Sequence, residues 1–407
     1  MLTALERGVK GGRWFSLIDK VYAPRTLRAA FARVKANGGG PGVDHVRIER
    51  FESDLDGNLA RLGEALRGGT YRPRAVRRAW VPKPGRRERR PLGIPTVRDR
   101  VVQTALRWAL EPIFERDFAE HSYGFRPGRG AKDALRRVDR LLKAGHRWVV
   151  DADIRSYFDT LPHERLLERV RTKVRDGRVL ALLEAFLGQD VMDGMASWTP
   201  EAGTPQGAVV SPLLSNIYLD PFDHLVAERG HALVRYADDF VILCRTEAEA
   251  REALVLVAAW MAEAGLSLHP EKTRVVDAAL PGGFDFLGYH FERGYHWPSP
   301  KSLAKLKTTL RAKTRRTNGH SLDTILADVT RTLRGWFEYF QHSHWTTFGP
   351  LDRWVRMRLR SILRKRHGGR GRGRGRDHQR WPNAYFAEHG LFSLAAAHAT
   401  LCQSSRR

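Results

Sequence analysis

Residues 233–243 read Leu-Val-Arg-Tyr-Ala-Asp-Asp-Phe-Val-Ile-Leu. Two apolar, strand-forming segments flank the adjacent pair Asp238 and Asp239, so two short strands are expected over 232–244, meeting at Ala237-Asp238. Aspartate is a poor strand residue. Two carboxylates this close repel, and one would rise in pKa unless a cation lay between them. Two readings stand side by side: a solvated Asp-Asp turn, or a site where a divalent cation such as Mg²⁺ removes the conflict.

A second acidic strand lies upstream, Val149-Val150-Asp151-Ala152-Asp153-Ile154. Alternation points Val149, Asp151 and Asp153 to one face and Trp148, Val150, Ala152 and Ile154 to the other. Asp151 is read as a surface or hydrogen-bonded aspartate. If this strand lies beside the hairpin, Asp153 meets Asp238. Three converging carboxylates then suit a pair of metal ions that activate a hydroxyl and stabilise in-line phosphoryl transfer.

Around these strands the periodicity alternates between helix and strand. Residues 24–70 read as basic helices broken by the loop Asn37–Gly42, and 74–94 as a strand, a basic turn and a strand. Helices are expected from Thr96, over 131–143, near 163–175 and 179–187, from Ser211 to about Gly230, and from Thr246 to Gly265. Strands are expected near 273–277 and 284–291. The pattern predicts an α+β fold, an antiparallel sheet covered by helices on one face. From Ser302 to Arg366 it is helical. Residues 351–380 carry 12 Lys or Arg against 2 Asp. The Gly-Arg run 368–376 within them is expected to be flexible unless nucleic acid orders it.

Composition narrows the partners. Of 407 residues, 42% are hydrophobic, enough for a core, and the two cysteines exclude a disulfide framework or a cysteine zinc site. Cys244, inside an apolar run, reads as a buried thiol. Lys plus Arg number 70 against 45 Asp plus Glu, a net charge of +25. That excess favours a polyanion, and arginine suits phosphate and base contacts. Nucleic acid is preferred over an anionic membrane, because no basic amphipathic helix has a clean apolar face. No run of about 18 apolar residues appears, and the N-terminus lacks a secretory apolar block. A cytoplasmic protein is expected, nucleoid-associated when bound to DNA.

Several ordered blocks together resemble bacterial group II intron reverse transcriptases (maturases) of the compact kind lacking an endonuclease domain. They are Gly42-Val43-Asp44, Arg90–Thr96 (RPLGIPT), Ser122–Gly128 (SYGFRPG), Asp153–Asp159 (DIRSYFD), Gly203–Gly207 (GTPQG), Ser211–Leu214 (SPLL), the Tyr-Ala-Asp-Asp box, Phe286-Leu287-Gly288 and Leu333–Phe340 (LRGWFEYF). His45 and Ala208 depart from the family's usual glycines.

The resemblance implies a right-hand polymerase, fingers and an antiparallel palm sheet, followed by a helical thumb. Its expected divisions are 1–146 (N-terminal extension and fingers with part of the palm), 147–296 (palm), 297–366 (thumb or maturase region) and 367–407 (basic Gly-Arg segment). It implies two Mg²⁺ ions, with Mn²⁺ an alternative, held by Asp153, the Ile154 carbonyl, Asp238 and Asp239. Lys83, Arg90, Phe158 and Gln206 would bind the incoming dNTP, with Phe158 rejecting a ribose 2′-hydroxyl; ordinary core packing is the other reading of that ring. Arg126, Tyr236, Leu287, Gly288, Arg334, Arg370, Arg372 and Arg374 would contact RNA or template–primer. The expected partners are group II intron RNA, an RNA template with a DNA primer, and a DNA target site, with no membrane. His342 and His344 are expected to face RNA or solvent. Trp336, Phe337, Tyr339, Phe340 and Trp345 are expected in the thumb core, with stacking of some of them on RNA as the other reading. Two other roles stay open: a splicing cofactor that binds RNA with polymerisation secondary, and a domesticated enzyme serving phage defence.

Overall fold

The computed structural model describes residues 12–82 and 89–404. It divides into two compact units, one ending at Val276 and the other starting at Asp277.

The first unit opens with α1 (Ile18–Tyr22), α2 (Pro24–Asn37), α3 (Ile48–Glu52) and α4 (Leu55–Gly68). Pro24 sits in the first turn of α2, where its fixed φ suits a helix start. β1 (Val76–Pro82) and β2 (Arg89–Ile94) pair antiparallel. α5 (Val97–Glu115) follows, capped by the Thr96 hydroxyl, which accepts the Asp99 N–H at 3.2 Å. Its expected stripe, Val101 to Phe114, is buried. Then come α6 (Ala131–Lys143), β3 (Trp148–Asp153), α7 (Tyr157–Thr160), α8 (His163–Arg171), α9 (Gly177–Leu187), β4 (Val191–Asp193) and β5 (Ala196–Trp198). α10 (Ser211–Glu228), β6 (Ala232–Tyr236), β7 (Asp239–Cys244), α11 (Glu247–Glu263) and β8 (Arg274–Asp277) complete the series.

Two sheets result, ordered β2-β1-β4-β5 and β6-β7-β3-β8. In the second, β7 pairs antiparallel with both β6 and β3, and α11 packs on β3 and β7. β7 is buried from Phe240 to Cys244, so apolar residues occupy both of its faces. Burial pushes the Cys244 thiol up to about 12. This is the expected α+β arrangement. The β4–β5 hairpin was not expected: its strands are three residues each, too short for period two to register.

The second unit begins with an antiparallel sheet of β9 (Phe284–Phe286), β10 (Tyr289–Glu292) and β11 (Tyr295–Pro298). Six α-helices follow among the described residues, α12 (Pro300–Lys313), α13 (Leu322–Phe340), α14 (Phe348–Arg366), α15 (Arg376–Arg380), α16 (Asn383–Glu388) and α17 (Leu394–Ser404), with a 3-10 turn at Trp345–Thr347 before α14. Leu306, Leu310, Ile325, Val329, Leu333, Leu359, Trp381, Phe386 and Leu394 share its core.

Packing divides the chain differently from the expected divisions at two places. β9–β11 cluster with the helices that follow, not with the strands of 147–276. The segment after 366 is not an appendage either. Asp352, 4% exposed, accepts the N–H groups of Leu394 and Ala395 at 3.0 Å and so starts α17. Arg360 donates to the Trp381 carbonyl at 2.8 Å. The Gly-Arg run is folded too. A Cβ on Gly373 would lie 2.8 Å from the Arg360 Cβ, so the chain packs there only as glycine. Asp377 accepts from Arg374 N at 2.9 Å and Arg364 Nη1 at 2.6 Å. Polar bonds to α14 replace the apolar burial that this composition lacks. Among the described residues, no helix is long and apolar enough to cross a membrane.

Candidate active site

β3 and β7 place two carboxylates at one sheet end. Their register sets Asp153 across from Asp239, and Asp151 across from Val241. The residue facing Asp153 is therefore Asp239, whereas the sequence pointed to Asp238. Asp238 occupies the turn between β6 and β7. The Tyr157 phenol is raised first by burial and further by the Asp238 charge. Asp151 is hydrogen-bonded by Arg274 at 3.2 Å, the role expected for it.

The carboxylates are drawn together by backbone register more than by side-chain grouping. Lys272 Nζ lies 2.5 Å from Asp153 Oδ2 and supplies a compensating charge. Among the described residues, no three His, Cys, Asp or Glu side chains are gathered tightly enough to hold a metal ion. The donor chemistry does fit one: carboxylate oxygens and a backbone carbonyl are the ligands hard cations take. Ile154 bridges to Leu268 through the Asp153 carbonyl, which accepts His269 N, and Arg155 N, which donates to Ser267. That bridge does not use the Ile154 carbonyl.

The hairpin turn is held from below. Ala237 takes φ +59°, a left-handed conformation costing a non-glycine residue about 1–2 kcal/mol. Its carbonyl accepts Arg235 Nη1 at 2.7 Å. Arg235 is fully buried and grips Asp223 of α10 through two bonds, of 2.6 and 2.5 Å. Burial pushes the guanidinium down, and the Asp223 charge more than reverses it. Asn216 accepts from Arg235 at 3.1 Å and donates to the Gly124 carbonyl at 2.9 Å. A Cβ on Gly124 would lie 2.2 Å from Ala237 N, so the 122–128 block touches the turn only as glycine.

Phe158 and Gln206 lie on segments tied to each other. Thr204 N donates to the Phe158 carbonyl at 2.7 Å, and Gly93 N to the Gln206 carbonyl at 2.7 Å. Phe158, but not Gln206, lines a cleft of about 260 Å³. One wall is a face of the first sheet, carrying Arg78, Pro91, Val191 and Trp198; the other is Phe158, Asp159 and residues 202–205. Phe158 is half-buried and packs edge-on against Tyr157. Arg90 lies in β2, paired with Val81. Lys83, with Arg86 and Arg87, falls outside the described residues.

Arg126 requires correction as a nucleic-acid contact. Its side chain is 2% exposed and is bound by Glu115 and by the carbonyls of Ala119 and Ser122. Phe125 of that block is exposed, at φ +60° and 6.3 Å from the Tyr236 ring. In the second unit, Leu287 and Gly288 form the β9–β10 turn. Their carbonyls accept the Tyr339 hydroxyl at 2.8 Å and Ser299 N at 2.8 Å. Arg334 is exposed with its guanidinium 5.5 Å from the Phe392 ring, and Arg370, Arg372 and Arg374 point to solvent. Sequence reading missed Arg235, Phe125 and Lys272. A signal existed for Arg235, because a charge within a buried strand must have a partner.

Residues 81–291 match the family "Reverse transcriptase (RNA-dependent DNA polymerase)". Residues 303–381 match "Group II intron, maturase-specific domain". Protein YkfC of Escherichia coli is 34% identical over 317 residues, 68% of this chain and 83% of that protein. The group II intron-encoded protein LtrA of Lactococcus lactis is 38% identical over 221 residues, 52% of this chain but 36% of that protein. A chain of a solved Cas6-RT-Cas1–Cas2 complex aligns at 26% identity over 61% of this chain and 41% of its own length. Its TM-score of 0.39 is too low to add to the assignment. With one match spanning the acidic hairpin and a second spanning the helices beyond it, the chain belongs to the reverse transcriptase family and carries a group II intron maturase-specific domain.

Proposed function

We propose that this chain extends a DNA primer on an RNA template, with Asp153, Asp238 and Asp239 as the catalytic carboxylates, and that it binds intron RNA to assist splicing and mobility. The observation that carries this reading is the pairing of Asp153 with Asp239 beside the Asp238 turn. Asp153, Asp238, Asp239 and the Ile154 carbonyl would hold Mg²⁺, with Mn²⁺ as substitute. When bound, divalent cations there supply charge neutralisation at the transferred phosphoryl group and a lowered pKa at the attacking hydroxyl.

The chain's own residues do the rest. Arg235 and Asp223 fix the turn from which Asp238 projects. Phe158 closes the sugar side of the cleft, and the Gly203–Gly207 loop, tied to β2 through Gln206, sets its depth. Lys83 and Arg90 would receive the triphosphate, as a basic fork suits phosphate oxygens. Tyr236 in the first unit, and separately Leu287 and Gly288 in the second, would contact RNA or template–primer. Arg334, Arg370, Arg372 and Arg374 would meet RNA phosphates; that the last three are exposed while Gly373 packs inward against Arg360 supports this.

The test is primer extension on an RNA template with dNTPs and Mg²⁺, beside RNA binding. Asp238→Asn should abolish extension and leave RNA affinity within about twofold. Extension retained above a tenth of the parent rate would refute the assignment.

A further inference from the structure

The sheet β9–β11 has two unlike faces. Tyr289 and Phe291 turn inward, and the Tyr289 ring lies 4.9 Å from Phe340. The register pairs His290 with Trp297 and Glu292 with Tyr295, so these four share the other face. The segment after α13 joins them: His344 N donates to the His296 carbonyl at 2.8 Å. Four rings become contiguous. Ring centroids are 4.7 Å apart for Tyr295–His344, 5.6 Å for Trp297–His344, 5.9 Å for Tyr295–Trp297 and 5.6 Å for His344–Trp345. The Thr346 hydroxyl ties the group, bonding Trp297 Nε1 at 3.3 Å and His344 Nδ1 at 2.8 Å.

Despite that ordering the cluster is not a core. Trp345 is 68% exposed and Tyr295 54%. Of the two readings of Trp345, thumb core and stacking on RNA, its exposure removes the first. Large exposed rings held in fixed positions mark an interaction surface. Charge selects the ligand. Residues 277–407 carry 24 Lys or Arg against 9 Asp or Glu, which draws a polyanion to this unit. On the sheet face itself, His290 lies between Asp285 at 2.7 Å and Glu292 at 3.4 Å. Those carboxylates repel phosphate. What lies on the rings is therefore the uncharged part of a nucleic acid, a base.

We propose that Tyr295, Trp297, His344 and Trp345 form a stacking platform for an unpaired base of RNA bound by the helical unit. This rests on reading the chain as an RNA-binding protein. Bases of any identity stack on aromatic rings, and a duplex hides their faces. The platform therefore discriminates single-stranded from double-stranded RNA.

The test uses the full chain and two probes: a 12-nucleotide mixed-sequence single-stranded RNA carrying one 2-aminopurine, and an RNA duplex of equal length. Trp345→Ala and Tyr295→Ala alter exposed side chains, and melting curves report their folding. Single-strand affinity should fall about tenfold in each. 2-Aminopurine quenching should be lost, with the salt slope and duplex affinity unchanged, since stacking releases no counterions. Parent-like single-strand affinity in both variants would overturn the platform while leaving RNA binding intact. Variants that keep RNA affinity but change oligomeric state would make the patch a protein interface, which also overturns it. A parent chain that binds neither RNA would remove the underlying reading first.

Discussion

Arg235→Met isolates the support beneath the catalytic turn. Both partners of the pair are buried, with side-chain exposures of 0% for Arg235 and 1% for Asp223. Removing the guanidinium leaves the Asp223 carboxylate uncompensated, a change that costs about 3–5 kcal/mol. Stabilities of whole domains run about 5–15 kcal/mol, so the variant should still fold at 25 °C. Urea unfolding should show the midpoint falling with little change in slope. The pair variant Arg235→Met with Asp223→Leu separates stability from positioning. Apolar replacement of both partners restores most of the lost stability. It does not restore the donor to the Ala237 carbonyl, and a misplaced turn of about 1 Å can cost about 100-fold in rate. The pair variant should therefore be stable and slow in primer extension. If the single variant loses under about 1 kcal/mol, or the pair variant regains activity with stability, the support does not act through the turn.

Further outcomes are expected. Phe158→Ala should raise ribonucleotide incorporation by tenfold or more in single-nucleotide extension; unchanged sugar selectivity would move the gate elsewhere. Asp176 accepts four backbone N–H groups, from Leu17, Ile18, Arg178 and Val179. Burial alone would raise its carboxyl, but those donors hold it below the ordinary range. Its folded pKa being depressed, the stabilisation is present above the unfolded value near about 4 and is lost as pH falls through the folded value. Asp176→Ala should thus cost about 2–4 kcal/mol at pH 7 in urea unfolding and progressively less below about pH 4; a pH-independent cost would exclude the linkage. Gly373→Val should lower the melting temperature of the full chain, because its side chain meets Arg360. An unchanged melting temperature would mean the Gly-Arg run does not pack.

Much of the fold lay open in the sequence. The helix over 131–143 and the hairpin about Ala237-Asp238 match the elements formed, because hydrophobic period and cap residues agree there. Asp153 was legible on similar grounds: an acid closing an apolar strand weakens that strand unless something binds the carboxylate. What escaped depended on distant partners. Arg126 carried the charge of an RNA ligand, yet Glu115 and two carbonyls take it inward. The Gly-Arg run had the composition of a disordered tail, but Arg360, Arg364 and Asp377 give it polar anchors that composition does not show. Trp345 sat in an aromatic-rich stretch that reads as core, and only the fold places it outside. The β4–β5 hairpin was too short to signal itself.

The most direct measurement is Mn²⁺ binding followed by electron paramagnetic resonance on the full chain with a chain-terminated primer, RNA template and the next dNTP. Two tightly bound ions per chain are predicted, falling to one or none in Asp153→Asn and Asp238→Asn while the template–primer remains bound. Two ions retained in both variants would mean that these carboxylates do not hold the metal.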